Sequence, residues 1–309
     1  MIVQLKDAAD TVDRFEELLA TNGISIPRNP ATGANMLPIW LILEQIRKGT
    51  NGALDEMRNE YTAAIAVHDL AAKVLAVKDN AQFKKLLPHL EMLSSGALHL
   101  FEDPPVQSDA YNKLIEAYWA SLLMAAGVTL EVDHPKHALG DNPDVIALDD
   151  VGQARAYAFK TVRSPHTQNL LDHLTKGVAQ IERSQAREGV VALHLTPRIL
   201  KETQLWPEAG KAFADWRKPA ALALEELTAM VVEILKDNGQ PAIDAIFAGK
   251  KAASSVLCIA MFPTVAINPE TGNAAVMPIK VAQLVAISDT SPDLPPKKWT
   301  GLCRSALGL

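Results

Sequence analysis

Cysteine is nearly absent from this chain. The two present in 309 residues, Cys258 and Cys303, lie far apart and form neither a disulfide framework nor a zinc-binding pattern. A reduced, cytoplasmic setting is the expectation. Aromatic residues make up only 5%, so the core is built mainly from the abundant aliphatic residues. There is no basic excess: 30 Lys and Arg stand against 36 Asp and Glu, a formal net charge of -6. That excludes a general nucleic-acid coat protein, although a local basic groove can sit on an acidic molecule. No apolar run approaches the roughly 20 residues of a membrane span. The opening Met1-Ile2-Val3-Gln4-Leu5-Lys6-Asp7 lacks the basic region and long apolar stretch of a secretory signal. No membrane partner is expected. No phosphate-cradling P-loop or GxSxG elbow appears, which disfavours an NTPase or a serine hydrolase. Repeats and low-complexity segments are absent too.

What is there suffices for one large domain or two ordinary ones, with 48% hydrophobic residues to fill a core. Residues 1–104 read as a helical N-terminal region. Val12, Phe15, Leu18 and Leu19 recur at helical spacing, a Gly-, Pro- and Asn-rich loop follows over 22–35, and further helices are expected over 36–47, 51–77 and 81–94. No catalytic cluster stands out there, and a lid, a recognition module or a surface for a protein partner is the expected role. Pro104-Pro105 marks the boundary, and residues 105–309 form the second unit. A helix over 108–126 is capped by Ser108 and ended by Gly127. After it come a strand (128–132), a polar loop (133–143), a hairpin, a helix (about 167–186) and an apolar strand (189–195) of the kind buried on both faces. Helix is expected again from Trp206 to about Lys250. Two apolar runs, 255–267 and 274–288, flank the turn Asn268-Pro269-Glu270-Thr271-Gly272-Asn273 and read as an antiparallel pair added to the same sheet.

The chemistry concentrates in the hairpin. Asn142-Pro143-Asp144 precedes the apolar run Val145-Ile146-Ala147-Leu148. The polar turn Asp149-Asp150-Val151-Gly152-Gln153 leads into Ala156-Tyr157-Ala158-Phe159 and Lys160. Such a hairpin presents one carboxylate and one ammonium near each other. A carboxylate that holds a divalent cation, beside a lysine that steadies the attacking water and the charge on phosphate, is what a metal-dependent phosphodiesterase needs.

Pro143-Asp144 and Lys160, with Glu116 on the preceding helix and the order helix, strand, strand, strand, helix, strand over 108–196, resemble the PD-(D/E)xK nuclease superfamily. The resemblance implies an α/β fold with a restriction-endonuclease-like core, a mixed sheet flanked by helices. It also implies metal-dependent cleavage of nucleic-acid phosphodiester bonds, with DNA favoured over RNA as partner. Asp144 and Glu116 would hold Mg²⁺, or Mn²⁺, and Lys160 would orient the nucleophile. Arg163, His166, Gln180 and Arg183 would lie along the nucleic acid. An oligomer is compatible with this class, and restriction, phage defence or interbacterial toxicity are settings for it.

One position departs from the pattern. The superfamily places a carboxylate two residues before the lysine, and this chain has Ala158. Strand alternation sets Ala158 and Lys160 on one face, Tyr157 and Phe159 on the other, so the missing acid would point into the site. Three explanations compete: an engineered Glu-to-Ala or Asp-to-Ala change at this position, migration of the acid to Glu182, or decay of the site to binding alone. The alternative function is therefore a catalytically inactive nucleic-acid-binding or assembly subunit of the same fold. A third reading is an α/β interaction protein with no such site. Plainer roles also stand for single residues. Asp144 could be a turn residue, Glu116 a helix-surface glutamate, and His166 an exposed loop histidine beside a helix capped by Ser164 or Thr167. Arg183 and Arg187 share a helix face and suit either a groove or solvent. His134, His137 and Asp141 match no tight zinc spacing.

Overall fold

The computed structural model describes residues 7–26, 40–44, 58–94, 101, 109–135, 142–148, 152–164, 166–202, 205–288 and 290. Their frame is a six-stranded mixed sheet in the order β1-β2-β3-β4-β5-β6. The strands are β1 (Thr129–Val132), β2 (Val145–Leu148), β3 (Ala154–Thr161), β4 (Glu188–His194), β5 (Ser255–Ile267) and β6 (Ala274–Ala286). β1, β2 and β3 form an antiparallel meander. β4 and β5 continue parallel to β3, and β6 returns antiparallel along the whole of β5. The chain is α/β, with both hairpins where the alternating apolar runs and polar turns put them.

Each face of the sheet carries its own core, as the two-residue period of a strand requires. Tyr157 and Phe159 of β3 and Val190 and Ala192 of β4 bury into a cluster shared with α1 (Ala8–Thr21), α2 (Arg58–Ala76) and α3 (Asp109–Ala125). Ala156 and Ala158 of β3 and Val191 and Leu193 of β4 bury into a second cluster. That one is covered by α4 (Thr167–Arg183), α5 (Thr196–Glu202), α6 (Arg217–Asn238) and α7 (Gln240–Phe247). The N-terminal helices therefore share a core with the sheet. Asp69 of α2 ties the layers together, accepting from Tyr118 Oη of α3 at 2.7 Å and from Lys280 Nζ of β6 at 2.8 Å.

α3 is apolar on most sides because it lies between α2 and the sheet. Tyr111, Leu114, Ile115, Trp119 and Leu123 are all buried. It ends at Gly127 (φ 79°), with Gly127 N–H donating to Met124 C=O and Val128 N–H to Leu123 C=O, each at 3.0 Å. This is a Schellman stop, and only glycine adopts that φ without strain. α4 is amphipathic: Leu170, Leu174, Val178 and Ile181 face the sheet while Asp172, Thr175 and Lys176 face solvent. Gly177 lets it approach closely, since a Cβ there would stand 2.9 Å from the Val191 side chain.

Three sequence expectations shift. The helix expected over 81–94 is a run of short helical turns, 83–86, 87–90 and 91–94, with Pro88 at the start of the middle one. The helix expected from Trp206 begins at Arg217, because Pro207 and Gly210 (φ 72°) interrupt the chain. Phe213 instead adds a bridge to the sheet beside Ala266. α5, a helix of seven residues, was not anticipated. The Pro104-Pro105 boundary, the Ser108 cap, most of the 22–35 loop and the Pro-rich tail lie outside the described residues. Among those described, no helix is long and apolar enough to cross a membrane.

Candidate active site

Asp144 sits immediately before β2 and is pinned on three sides. Its N–H donates to Tyr157 C=O at 3.1 Å, its C=O accepts from Asp133 N–H at 3.0 Å, and its Oδ2 accepts from Phe159 N–H at 2.6 Å. The antiparallel register Val145↔Tyr157 makes these contacts geometrically direct. Lys160, near the end of β3, brings Nζ to 4.0 Å from Asp144 Oδ2. The same ammonium donates to Gln180 Oε1 at 2.5 Å and to Phe159 C=O at 2.9 Å. Glu116 enters from α3 and is almost wholly buried. The three residues that carry the sequence motif therefore converge, and Gln180 joins them from α4.

Two further residues complete the cluster. Lys113, one helical turn before Glu116, donates to Glu116 Oε1 at 2.7 Å and Oε2 at 2.9 Å, and lies 3.7 Å from Asp144 Oδ1. His89, from the helical turn 87–90, places Nε2 3.0 Å from Glu116 Oε2. The i,i+3 spacing of Lys113 and Glu116 was a readable signal. His89 lies 27 residues from Glu116, and no local pattern links them. The N-terminal half, where no catalytic group was expected, thus contributes to the site.

Burial sets the electrostatics. It pushes the Asp144 carboxyl up to about 6, and the Glu116 charge adds to this against the two lysines. Glu116 is also raised by burial, against the opposing pull of Lys113, of a hydrogen bond to Asp144 and of Lys160. Burial works to lower Lys113, but the carboxylates of Glu116 and Asp144 outweigh it and the net shift is upward. Lys160 is lowered by burial, against the pull of Asp144 and Glu116. His89 falls to about 4 through burial and the Lys113 charge, so it is neutral near pH 7. Two ammonium groups thus face two buried carboxyls.

The remaining motif positions are distributed differently. One step past Val145↔Tyr157 in the hairpin register, Ala158 lies beside Asp144. It is fully buried, and its methyl belongs to the apolar cluster under α4 with Leu174, Val178 and Val191. Glu182 does not replace the acid. Its carboxylate accepts from Lys251 N–H, and its C=O accepts from Lys251 Nζ at 3.0 Å. Arg163 lies over the Tyr111 ring, 5.1 Å from the centroid. His166 is exposed and is itself the N-cap residue of α4, its N–H donating to Ser164 Oγ at 3.2 Å. Arg183 is exposed in the last turn of α4. His137 and Asp141 lie outside the described residues.

A neighbouring group gives a pH prediction. His194 ends β4 fully buried, stacked on Tyr111 at 5.7 Å, and among the described residues neither ring nitrogen has a hydrogen-bond partner. Burial, with Arg163 adding, lowers it to about 3. Its folded value is below its unfolded one. The stability from keeping it neutral is complete above about pH 6.5 and is lost as pH falls toward 3, by roughly 1.4 kcal/mol per pH unit in that window. His194→Phe keeps the ring stack and removes the titration. The variant should lose less stability than the parent between pH 8 and pH 5 in urea melts. Equal losses would show that His194 is not the buried neutral group described.

Among the described residues, no group of three or more His, Cys, Asp and Glu side chains is arranged to hold a metal ion. Glu116 and Asp144 are, however, two adjacent hard oxygen donors, the number of protein carboxylates a magnesium site commonly uses beside water and phosphate. In this structure Lys113 Nζ lies against both Glu116 oxygens, so the pair could take such a cation only with that ammonium displaced.

No protein-family model, curated protein or solved structure matches the chain.

Proposed function

We propose that this chain is a metal-dependent nuclease with a restriction-endonuclease-like core, cleaving phosphodiester bonds of nucleic acid, DNA before RNA. One observation carries the reading: Glu116, Asp144 and Lys160 meet at the end of the β2–β3 hairpin, within the element order helix, strand, strand, strand, helix, strand. Residues 44 positions apart in sequence, 116 and 160, have no local reason to share a dry pocket.

Glu116 and Asp144 would hold Mg²⁺ or Mn²⁺. When bound, the cation would supply Lewis-acid stabilisation and a water of lowered pKa. The chain's own groups do the rest. The Phe159 N–H bond to Asp144 Oδ2 fixes the carboxylate. Gln180 and the Phe159 carbonyl hold the Lys160 ammonium beside Asp144, where a preorganised cation would stabilise charge that develops on the phosphate in the transition state. Burial keeps water from screening it.

A binding-only subunit of the same fold is the second reading, and Ala158 favours it. The position alongside Asp144 contributes a methyl to the apolar core where an acid would add a ligand. Plasmid DNA and single-stranded RNA incubated with Mg²⁺ or Mn²⁺ separate the readings. Nicking by the natural chain, rising in Ala158→Glu, supports the nuclease. A folded Ala158→Glu that leaves plasmid intact but binds DNA with a steep salt dependence selects the second reading. Neither cleavage nor binding would end both.

A further inference from the structure

Lys113 stands where a cation belongs. Its Nζ touches both oxygens of Glu116, at 2.7 and 2.9 Å, and lies 3.7 Å from Asp144 Oδ1. We propose that Lys113 is a tethered counter-ion that holds the Glu116–Asp144 pair in the metal-free protein and competes with the divalent cation for the same oxygens. This rests on the metal-dependent reading above.

The argument is one of charge and space. Two ammonium groups already balance two carboxyls, so a dication entering the pair leaves an excess of positive charge in a poorly screened pocket. Magnesium requires oxygens at about 2.0–2.1 Å, and an ammonium in contact with those oxygens leaves no room for it. One lysine must withdraw. Lys160 is held by Gln180 and by the Phe159 carbonyl as well as by charge. Among the described residues, Lys113 is held by charge alone: by Glu116, by the longer pair to Asp144 and by the more distant Asp133. Exposure does not separate the two, at 13% for the Lys113 side chain and 14% for Lys160, so the choice rests on how each is tethered: Lys113 sits on a flexible four-carbon stem with no neutral hydrogen-bond partner among the described residues fixing it. Lys113 is therefore the group that leaves. Metal loading is then coupled to a rotamer change on α3, and the released ammonium is free for a nucleic-acid phosphate.

Direct Mn²⁺ binding, followed by electron paramagnetic resonance of the free ion, tests this without reference to cleavage. Lys113→Met and Lys113→Gln keep the stem and remove the charge. Both should bind Mn²⁺ about tenfold tighter than the natural chain or better, a typical size for coupling of this kind, and Asp144→Asn should lose binding. In the natural chain, acetylation of Lys113 followed by mass spectrometry should rise when Mn²⁺ saturates the site, with Lys84 as the exposed reference. This readout holds even if a variant fails to fold. If Asp144→Asn loses Mn²⁺ binding while the Lys113 variants bind no tighter than the natural chain, the metal site stands and the role of Lys113 falls. Unchanged Lys113 labelling at saturating Mn²⁺ overturns it equally. No Mn²⁺ bound by the natural chain, the Lys113 variants or Ala158→Glu overturns the metal reading and this inference together.

Discussion

Under the proposed nuclease reading, Lys160→Met is expected to lower the metal-supported nicking rate by about 10²–10³-fold, the usual effect of removing one preorganised group that stabilises transition-state charge. Methionine keeps the length and apolar contacts of the stem, so the change is confined to the ammonium. In the folded protein that ammonium is fixed by Gln180 and the Phe159 carbonyl and lies 4.0 Å from Asp144 Oδ2. A solvated surface lysine would have no such partners, and its loss would leave turnover unchanged. The measurement is single-turnover nicking of supercoiled plasmid, made in the natural background and in Ala158→Glu, with circular dichroism melts to establish folding. The loss should fall on kcat, because the interaction strengthens as charge develops on the phosphate. Wild-type rates in a folded Lys160→Met would mean that the chemistry uses another cation, and Lys113 is the next within reach of Asp144.

Trp119→Ala should destabilise the fold by about 3–5 kcal/mol, the range for truncating a large buried aromatic. Trp119 is fully buried on α3 and packs against Tyr157 at 5.6 Å and Phe159 at 5.8 Å, tilted and edge-on. These two rings belong to β3, between Ala158 and its neighbours in the motif. The cavity would therefore open beneath the strand that carries Lys160 and would loosen the hairpin that sets Asp144. Trp119→Phe should cost much less. It retains a ring against the same partners and removes an indole N–H that, among the described residues, has no hydrogen-bond partner. Urea unfolding of the three proteins checks the order. An alanine variant within about 0.5 kcal/mol of the parent, the scale of an ordinary surface substitution, would show that the α3–β3 contact does not hold this face together.

Much of the architecture was legible because its signals are local. The hairpin at 145–161 follows from two apolar runs around a polar turn, and the antiparallel β5–β6 pair from the same pattern around Asn268-Pro269-Glu270-Thr271-Gly272-Asn273. Residues 189–193 of β4 read as apolar because both faces of the strand are covered. Where the reading slipped, the cause was equally local. Pro88 broke a helix into turns, and Pro207 with Gly210 delayed another to Arg217.

The site divides along the same line. The approach of Asp144 to Lys160 was legible because a hairpin brings its two strands together at short range, and Glu116 was named only through the resemblance. His89 could not be found that way, since its approach to Glu116 depends on how the turn at 87–90 packs on α3. The role of Lys113 was likewise hidden. Its spacing from Glu116 was visible, but its 3.7 Å approach to Asp144 required α3 to lie against the hairpin.

By itself, the sequence determined the order of helices and strands, the alternation that sends Tyr157 and Phe159 to one core and Ala158 to the other, and the two ends of the Asp144–Lys160 pair. Those properties follow from side-chain periodicity and turn chemistry over a few residues. Tertiary structure alone decided the charge balance of the pocket. Burial raises both carboxyls, and whether two lysines stand close enough to compensate them depends on packing between elements far apart in the chain.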